Sequence, residues 1–330
     1  LQTVILASDV YDFKPTPLTG EWESLDSIEL LRKEIIGLGY RCNIFHSQEK
    51  ILSSILGFIG ANEKDKLIVW NLIEGYSSRN REGYIPSICE YLGICHTGSD
   101  SYAQHISLDK HRTKEIVRNL GIKTPEGQII RKGKDYRLGL KFPIFAKPNG
   151  EGSSIGITEK NIIRKQEEFD SLIPELFEVF DTILLEEYIE GNDLTVAILG
   201  NDPNYSASNV ARLDYPGKVY SSKIKSKADM PEKLIFDLEE KIILSVQNAS
   251  LALAREIQIS GYARVDFISK GSDVYFLEIN LTPGFSPVYS SLPILWQNSG
   301  KPFRELVEAC LELAKKEHLE SKRFNYGKGE

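Results

Sequence analysis

Over its first seventy residues the chain alternates short apolar runs with stretches whose apolar residues recur every three or four positions. Residues 3–7 read as a buried strand. Residues 23–38 read as a helix, with Leu25, Ile28, Leu31, Ile35 and Leu38 on one face and Gly39 just past the end. Residues 42–45 and 66–70 repeat the strand pattern, and 51–59 the helical one. Such alternation confines this part to a parallel sheet with helices on its faces. Ligands of these sheets sit beyond the carboxyl ends of the strands, here near Asp9, Ser47 and the stretch 71–75.

Farther along, the pattern changes. Residues 109–120 form a predicted helix closed by Gly121, and Thr124-Pro125 stops it. A strand at 142–147 runs into Pro148-Asn149-Gly150-Glu151-Gly152-Ser153-Ser154-Ile155-Gly156. A charged amphipathic helix follows at 164–180. Strands at 182–188 and 193–199 are joined by a turn at Glu190-Gly191-Asn192. Residues 233–257 show helical periodicity, 261–269 and 273–280 form a hairpin through Lys270-Gly271-Ser272, and 302–316 close the chain as a helix. A length of 330 residues suits about two domains at roughly 150 residues each. Breaks are expected near 100–109 and near 190.

Several functions are excluded early. Net charge is −7, which disfavours non-specific nucleic-acid or anionic-membrane partners. No run of apolar residues is long enough for a membrane span. The opening LQTVILASD has neither a basic segment nor a long apolar core, so no secretory leader is expected. Cys42, Cys89, Cys95 and Cys310 lie too far apart for a disulfide scaffold or zinc knuckle, and reduced thiols in a cytoplasmic protein are expected. The histidines 46, 96, 105, 111 and 318 have no metal spacing, and no G-x-S-x-G occurs.

Three segments carry chemistry. Small residues after Lys147 let backbone N–H groups approach an anion, with the lysine charge beside them. A plain surface loop also fits this composition. In Leu184-Leu185-Glu186-Glu187-Tyr188-Ile189-Glu190-Gly191-Asn192-Asp193, a linker between strands can grip a planar base. An ionised Asp193 accepts two ribose hydroxyls. A hairpin with solvated acids fits as well. Third, Arg264 and Asp266 share one face of a strand, and Glu278 and Asn280 one face of the next. Three hard oxygen ligands on rigid strands suit Mg²⁺, with phosphates completing the shell. The other reading is a structural salt bridge between Arg264 and Glu278.

Together, in this order, these segments resemble the ATP-grasp superfamily, and more closely the D-alanine–D-alanine ligase family. Thr97-Gly98-Ser99, Leu108-Asp109-Lys110, Thr124-Pro125 and Thr282-Pro283-Gly284 extend the resemblance. It implies an α/β protein, α+β in the ATP-grasp part. A parallel-sheet pre-ATP-grasp domain at 1–109 would precede a central ATP-grasp subdomain at 110–192 and a C-terminal subdomain at 193–330, with a mobile loop at 220–231. It also implies a ligase that phosphorylates a carboxylate with ATP and lets an amine attack the acyl phosphate. The cofactors would be ATP and two Mg²⁺ ions, with Mn²⁺ as a substitute. The partners would be small amino-acid substrates, and the assembly a cytoplasmic homodimer formed through the first domain.

By the same resemblance, Lys110, Lys147 and the loop residue Lys225 hold phosphates, and the amides of Ser153 and Ser154 cover them. Glu186, Glu187, Tyr188 and Ile189 meet adenine, and Asp193 meets the ribose, where the family usually has Glu. Asp266, Glu278 and Asn280 hold the metal ions. Arg264 and the N–H of Gly284 stabilise the oxyanion. An ordinary basic surface loop is the other reading of Lys225.

The substrate positions depart from the family pattern. Ser226 follows Lys225 where the D-alanine ligases carry Tyr, although Ser153 is present. The acid that meets the first amino acid is Glu21 or Glu23, both of which also suit the first turn of the next helix. Arg81 takes the position of an acidic residue, and Tyr289 that of a Ser that binds the second carboxylate. Arg81 or Arg79 is therefore expected to recognise a carboxylate on a substrate other than D-alanine; ordinary surface arginines are the competing reading.

Overall fold

A computed structural model describes residues 2–11, 22–46, 48–61, 64–75, 78–152, 154–217 and 233–321. Four parallel strands form the first sheet in the order Arg41–Phe45, Thr3–Ser8, Leu67–Leu72, Cys95–His96. Thr3–Ser8 and Leu67–Leu72 are buried along their whole length, as continuous apolar runs require. Alternation sends Val4 and Leu6 to one face, where they meet Ile28, Leu31 and Ile35 of the helix Leu25–Gly37. Ile5 and Ala7 go to the other face, against Ile51 and Ile55 of the helix Gln48–Ala61. Ser24 caps the first of these helices by accepting from the Ser27 N–H at 3.2 Å.

The second sheet has four strands in the order Gly127–Arg131, Thr182–Glu187, Ile144–Pro148, Ile162–Ile163, all neighbours antiparallel. The helix Gln166–Val179 seats Phe169, Leu172, Ile173 and Leu176 on it and encloses a separate core. The third sheet runs Lys233–Ile235, Ala211–Asp214, Asn192–Asn201, Ser260–Lys270, Asp273–Asn280, with Asn204–Ala207 also paired to Asn192–Asn201. The helices Glu240–Glu256 and Lys110–Asn119 contribute Val246, Leu253 and Val117 to the core on one of its faces.

The opposite face of the third sheet shares a single core with the first sheet. Ala197, Leu199 and Tyr262 meet Val4, Leu6 and Trp70 there, with Leu295 and Trp296 of the helix Ser291–Asn298 and Leu306 and Leu311 of the helix Phe303–Ser321. Phe285 stands edge-on to both Trp70, at 5.2 Å, and Tyr262, at 4.7 Å. The beginning and the end of the chain thus form one packed body, and the second sheet has its own core. No helix among the described residues is long and apolar enough to cross a membrane.

Two expectations need correction. The helix expected over 233–257 begins only at Glu240, because Lys233–Ile235 pairs as an edge strand with Leu234 opposite Leu213. Asp237, in the connection, is held by Arg212 at 3.0 Å. The strands around Glu190-Gly191-Asn192 do not form a hairpin: Thr182–Glu187 lies in the second sheet and Asn192–Asn201 in the third. The helices Tyr84–Leu92 and Ser101–Leu108 and the strand Gly127–Arg131 were not expected from periodicity, being short and only partly apolar.

Trp70→Ala removes the central ring of the shared core. It is expected to lower the unfolding free energy by about 3–5 kcal/mol, read from the urea midpoint.

Candidate active site

The second and third sheets face each other across a cleft. Its walls carry Lys147 and Phe145 from one strand, the linker from Glu186 to Ile189, and Asp193, Arg264, Asp266 and Glu278 from the third sheet. Ring stacking of Phe145 on Tyr188, 6.5 Å apart and 27° from parallel, shapes one side. Apolar Ile157, Ile189, Leu213 and Leu277 also line the cleft, and Ser154 and Glu187 border it.

Glu186 anchors the floor. It stands near the end of Thr182–Glu187 with only 2% of its surface exposed. Lys147, on the paired strand, reaches its Oε2 at 2.7 Å. Lys114, 1% exposed, contacts the other carboxylate oxygen from the helix Lys110–Asn119 and lies 3.4 Å from the Phe276 carbonyl. Burial opposes all three charges. For Glu186 the two lysines outweigh it and hold the carboxyl below its ordinary range. For Lys147, Glu186 and Glu278 together outweigh burial and raise the ammonium pKa. Lys114 is pushed down to about 7 by burial, despite Glu186. With Lys114 held down at about 7, Lys147 is the ammonium that stays charged, and it faces the cleft, which suits an anionic ligand.

Lys110 opens its helix, behind the N-cap Asp109. Its ammonium lies 3.3 Å from Glu278 and bonds the Glu151 carbonyl. Asn149 ties the loop to the same helix end: its Oδ1 accepts from the His111 N–H at 3.0 Å and its Nδ2 donates to Asp109 at 2.8 Å. Loop, helix N-terminus and Lys110 therefore form one positively biased surface.

Asp266 and Glu278 are directly opposed on paired strands, as are Arg264 and Asn280. Arg264 forks onto Asp266, with Nε at 3.1 and 3.2 Å and Nη2 at 2.9 Å. Thr195 donates to Asp266 at 2.7 Å. The salt bridge weighed from sequence between Arg264 and Glu278 is thus made with Asp266, while Glu278 pairs with Lys110. Asn280 Oδ1 accepts from the Thr282 N–H at 2.8 Å. Asp193 accepts from the Tyr215 hydroxyl, yet burial pushes its carboxyl up to about 6.

Outside the residues that line the cleft, Glu23 is buried and accepts from the Phe285 N–H at 2.7 Å and the Tyr289 hydroxyl at 3.0 Å. Burial raises its pKa against those bonds. A side chain at Gly284 would meet Ser290 Oγ at 2.6 Å and Glu23 Oε1 at 2.9 Å, so it would have to push these side chains aside.

The family model described as D-ala D-ala ligase C-terminus matches residues 117–312. The D-alanine–D-alanine ligase of Aquifex aeolicus strain VF5 is 33% identical over 233 residues, covering 70% of this chain and 77% of that protein. This chain belongs to the D-alanine–D-alanine ligase family. The Staphylococcus epidermidis ATCC 12228 ligase is 29% identical over 327 residues, with 93% of this chain and 86% of that protein covered. A crystal structure of the Bacillus anthracis D-alanine–D-alanine ligase complexed with ATP matches with a TM-score of 0.76 at 22% identity, covering 97% of this chain and 100% of that one. The fold is therefore the ATP-grasp fold of this ligase family, behind a parallel-sheet N-terminal part.

Within that family framework the expected residues separate clearly. Lys147, Ser154, Glu186, Glu187, Tyr188, Ile189, Asp193, Arg264, Asp266 and Glu278 meet at one cleft, and Lys110 joins it through Glu278. Glu23, Gly284 and Tyr289 come together in a separate cluster, none of them among the residues lining that cleft. Glu21, Ser153, Lys225 and Ser226, with the loop 220–231, lie outside the described residues. Arg81 differs from expectation. It is 3% exposed and donates to the Gly150 carbonyl at 2.8 Å, within the protein's own loop, whereas Arg79 is exposed. Three residues were missed. Lys114 follows Lys110 by one helical turn on the same face, which is a readable signal. Thr195 shares a strand face with Asp193, and Tyr215 only comes near through the third sheet's folding.

Lys114→Met leaves Glu186 with one ammonium. The expected cost is about 3 kcal/mol of unfolding free energy, measured by urea denaturation beside Lys123→Met, at an exposed pair whose loss is expected to leave the urea midpoint nearly unchanged.

Proposed function

We propose that this chain joins a carboxylate to an amine at the expense of ATP, as a D-alanine–D-alanine ligase or a relative with altered substrates. The observation that carries the reading is the cleft itself. The charged Lys147, seated with Lys114 on the buried Glu186, faces a pair of opposed carboxylates, Asp266 and Glu278. Phosphoryl transfer is mostly positioning and charge neutralisation, and this arrangement offers both.

In this reading Lys110 and Lys147 hold the phosphates and the amide of Ser154 covers them. Glu187, Tyr188 and Ile189 border the adenine, with Glu186 beneath, and Asp193 accepts from the ribose hydroxyls. Asp266, Glu278 and Asn280 are hard oxygen donors on paired strands and fit one or two Mg²⁺ ions, or Mn²⁺. Among the described residues no three His, Cys, Asp or Glu side chains form a metal cluster by themselves, so phosphate oxygens would complete the shell. Mg²⁺ would there neutralise phosphate charge. Each carboxylate stands against a cation, Asp266 with Arg264 and Glu278 with Lys110, and a metal ion would share them with these side chains. Arg264 and the N–H of Gly284 would stabilise the oxyanion formed when the amine attacks, with Ser153 and Lys225 assisting. Glu23, the one of the two expected acids that lies among the described residues, would orient the first substrate's amine.

A second substrate reading has its own support. Tyr289 occupies the position of the family's carboxylate-binding serine, and its hydroxyl is bonded to Glu23 and Ser27. An L-amino-acid pair or another peptide product fits that change; a nucleotide-binding protein without turnover is the remaining rival. We further propose a cytoplasmic homodimer with working units at 1–109, 110–192 and 193–330.

The test is phosphate release from Mg·ATP with amino acids singly and in pairs, products identified by mass. Release with D-alanine alone and the D-Ala–D-Ala mass is the expected result for the parent activity. Release only with another pair reassigns the substrate, and no release from a broad panel removes the ligase reading.

Asp193 supplies a pH prediction. Its carboxyl titrates at about 6 in the free protein, above the ordinary 3.8. Ribose hydroxyls need the ionised form as acceptor, so ATP affinity is full above that value and falls as pH drops through it. The expected slope reaches roughly tenfold per pH unit, read by calorimetry, and Asp193→Asn removes it.

A further inference from the structure

We infer that Arg81 is a positioning residue: it fastens the glycine loop after Pro148 to the first sheet and so sets the direction of the loop's amides. The inference rests on the reading of that loop as the phosphate-facing one. Its geometry begins at the carboxyl end of the strand Thr3–Ser8. There Asp9 Oδ2 accepts the N–H groups of Glu74 at 3.1 Å and Gly75 at 3.0 Å. Gly75 has φ +65°, and a side chain on it would come within 2.9 Å of Arg81 Cβ. The stem of Arg81 is thus seated against a turn that the first sheet holds.

From that seat the guanidinium reaches the loop. Nη1 donates to the Gly150 carbonyl at 2.8 Å, and Nη2 lies 3.8 Å from Glu151 and 3.6 Å from Glu82. Lys110 bonds the next carbonyl, that of Glu151. In a trans peptide the C=O and the following N–H point in opposite directions. With the carbonyls of Gly150 and Glu151 turned onto two cations, the N–H groups of Glu151 and Gly152 are turned away from them. Carbonyl oxygens that would repel a phosphate are sequestered, and donors remain for it. A carboxylate on a substrate would have to displace these bonds, so Arg81 acts through the loop.

Three proteins test this: wild type, Arg81→Ala and Arg81→Lys, the last keeping the charge without the planar fork. Hydrogen exchange is followed at the amides of Ile155 and Ile157, both hydrogen-bonded within the loop, in nucleotide-free protein. Mg·ATP affinity is measured by calorimetry, and KM is measured for ATP and for the amine. Arg81→Ala is expected to speed exchange by about tenfold and weaken Mg·ATP by about tenfold, the loss of one charge-assisted bond. KM for the amine stays unchanged, and Arg81→Lys falls between. Should the alanine variant not fold, the lysine variant carries the test with smaller shifts. Unchanged loop exchange in the folded variants overturns the inference. So does a rise in KM for the amine alone, which would make Arg81 a substrate ligand. Absence of ATP binding in wild type, with loop exchange still dependent on Arg81, leaves the tether standing and removes only the nucleotide reading.

Discussion

The cleft depends on one buried carboxylate. An ionised Glu186 without partners would cost several kcal/mol in this interior; with Lys114 and Lys147 its charge is matched twice over. The three side chains come from the helix Lys110–Asn119, the strand Ile144–Pro148 and the strand Thr182–Glu187. Satisfying Glu186 therefore fixes where the helix crosses the second sheet. That crossing places Lys110 beside Glu278 and the glycine loop over the helix N-terminus. Lys147 keeps its charge toward the cleft, where Glu278 and Asp193 also act on it, so one electrostatic requirement both orders the fold and sets a charged lysine where an anion would sit.

A division of labour in packing follows from the cores. The first and third sheets share Trp70, Tyr262 and Phe285, which makes one rigid body of the two ends of the chain. The second sheet closes over its own core under the helix Gln166–Val179. A ligand between the second and third sheets is held by two separately packed layers joined through the linker 188–191. Positioning chemistry benefits from this because the carboxylates Asp266 and Glu278 ride on the larger body while Lys147 and Glu186 ride on the smaller one.

Much of the site was legible because its residues obey strand alternation. Arg264 with Asp266, and Glu278 with Asn280, share a face by period two, but Asp266 stands opposite Glu278 only because a register shift between Asp266 and Phe267 realigns the hairpin, which the sequence does not reveal. Lys147 was legible because a lysine directly before a run of small residues has few structural uses. Lys114 was missed because a helix with so many charges reads as solvated, although one face of it is fully buried. Arg81 was read as a substrate ligand because its position in sequence carries no hint of Gly150 as its acceptor. A break near 190 is expected from the sequence, but local turn chemistry at Glu190-Gly191-Asn192 does not reveal that the two strands it joins enter different sheets. These misses share a cause: each depends on a contact between segments far apart in sequence.

The central claim is that the cleft above Glu186 binds ATP with its phosphates toward Lys110 and Lys147. A crystal structure with a non-hydrolysable ATP analogue and Mg²⁺ tests it most directly. The account predicts adenine beside Tyr188 and Ile189, ribose on Asp193, phosphates on the two lysines, and a cation between Asp266 and Glu278. Nucleotide bound elsewhere, or in the cleft with its phosphates turned away from those lysines, would contradict it.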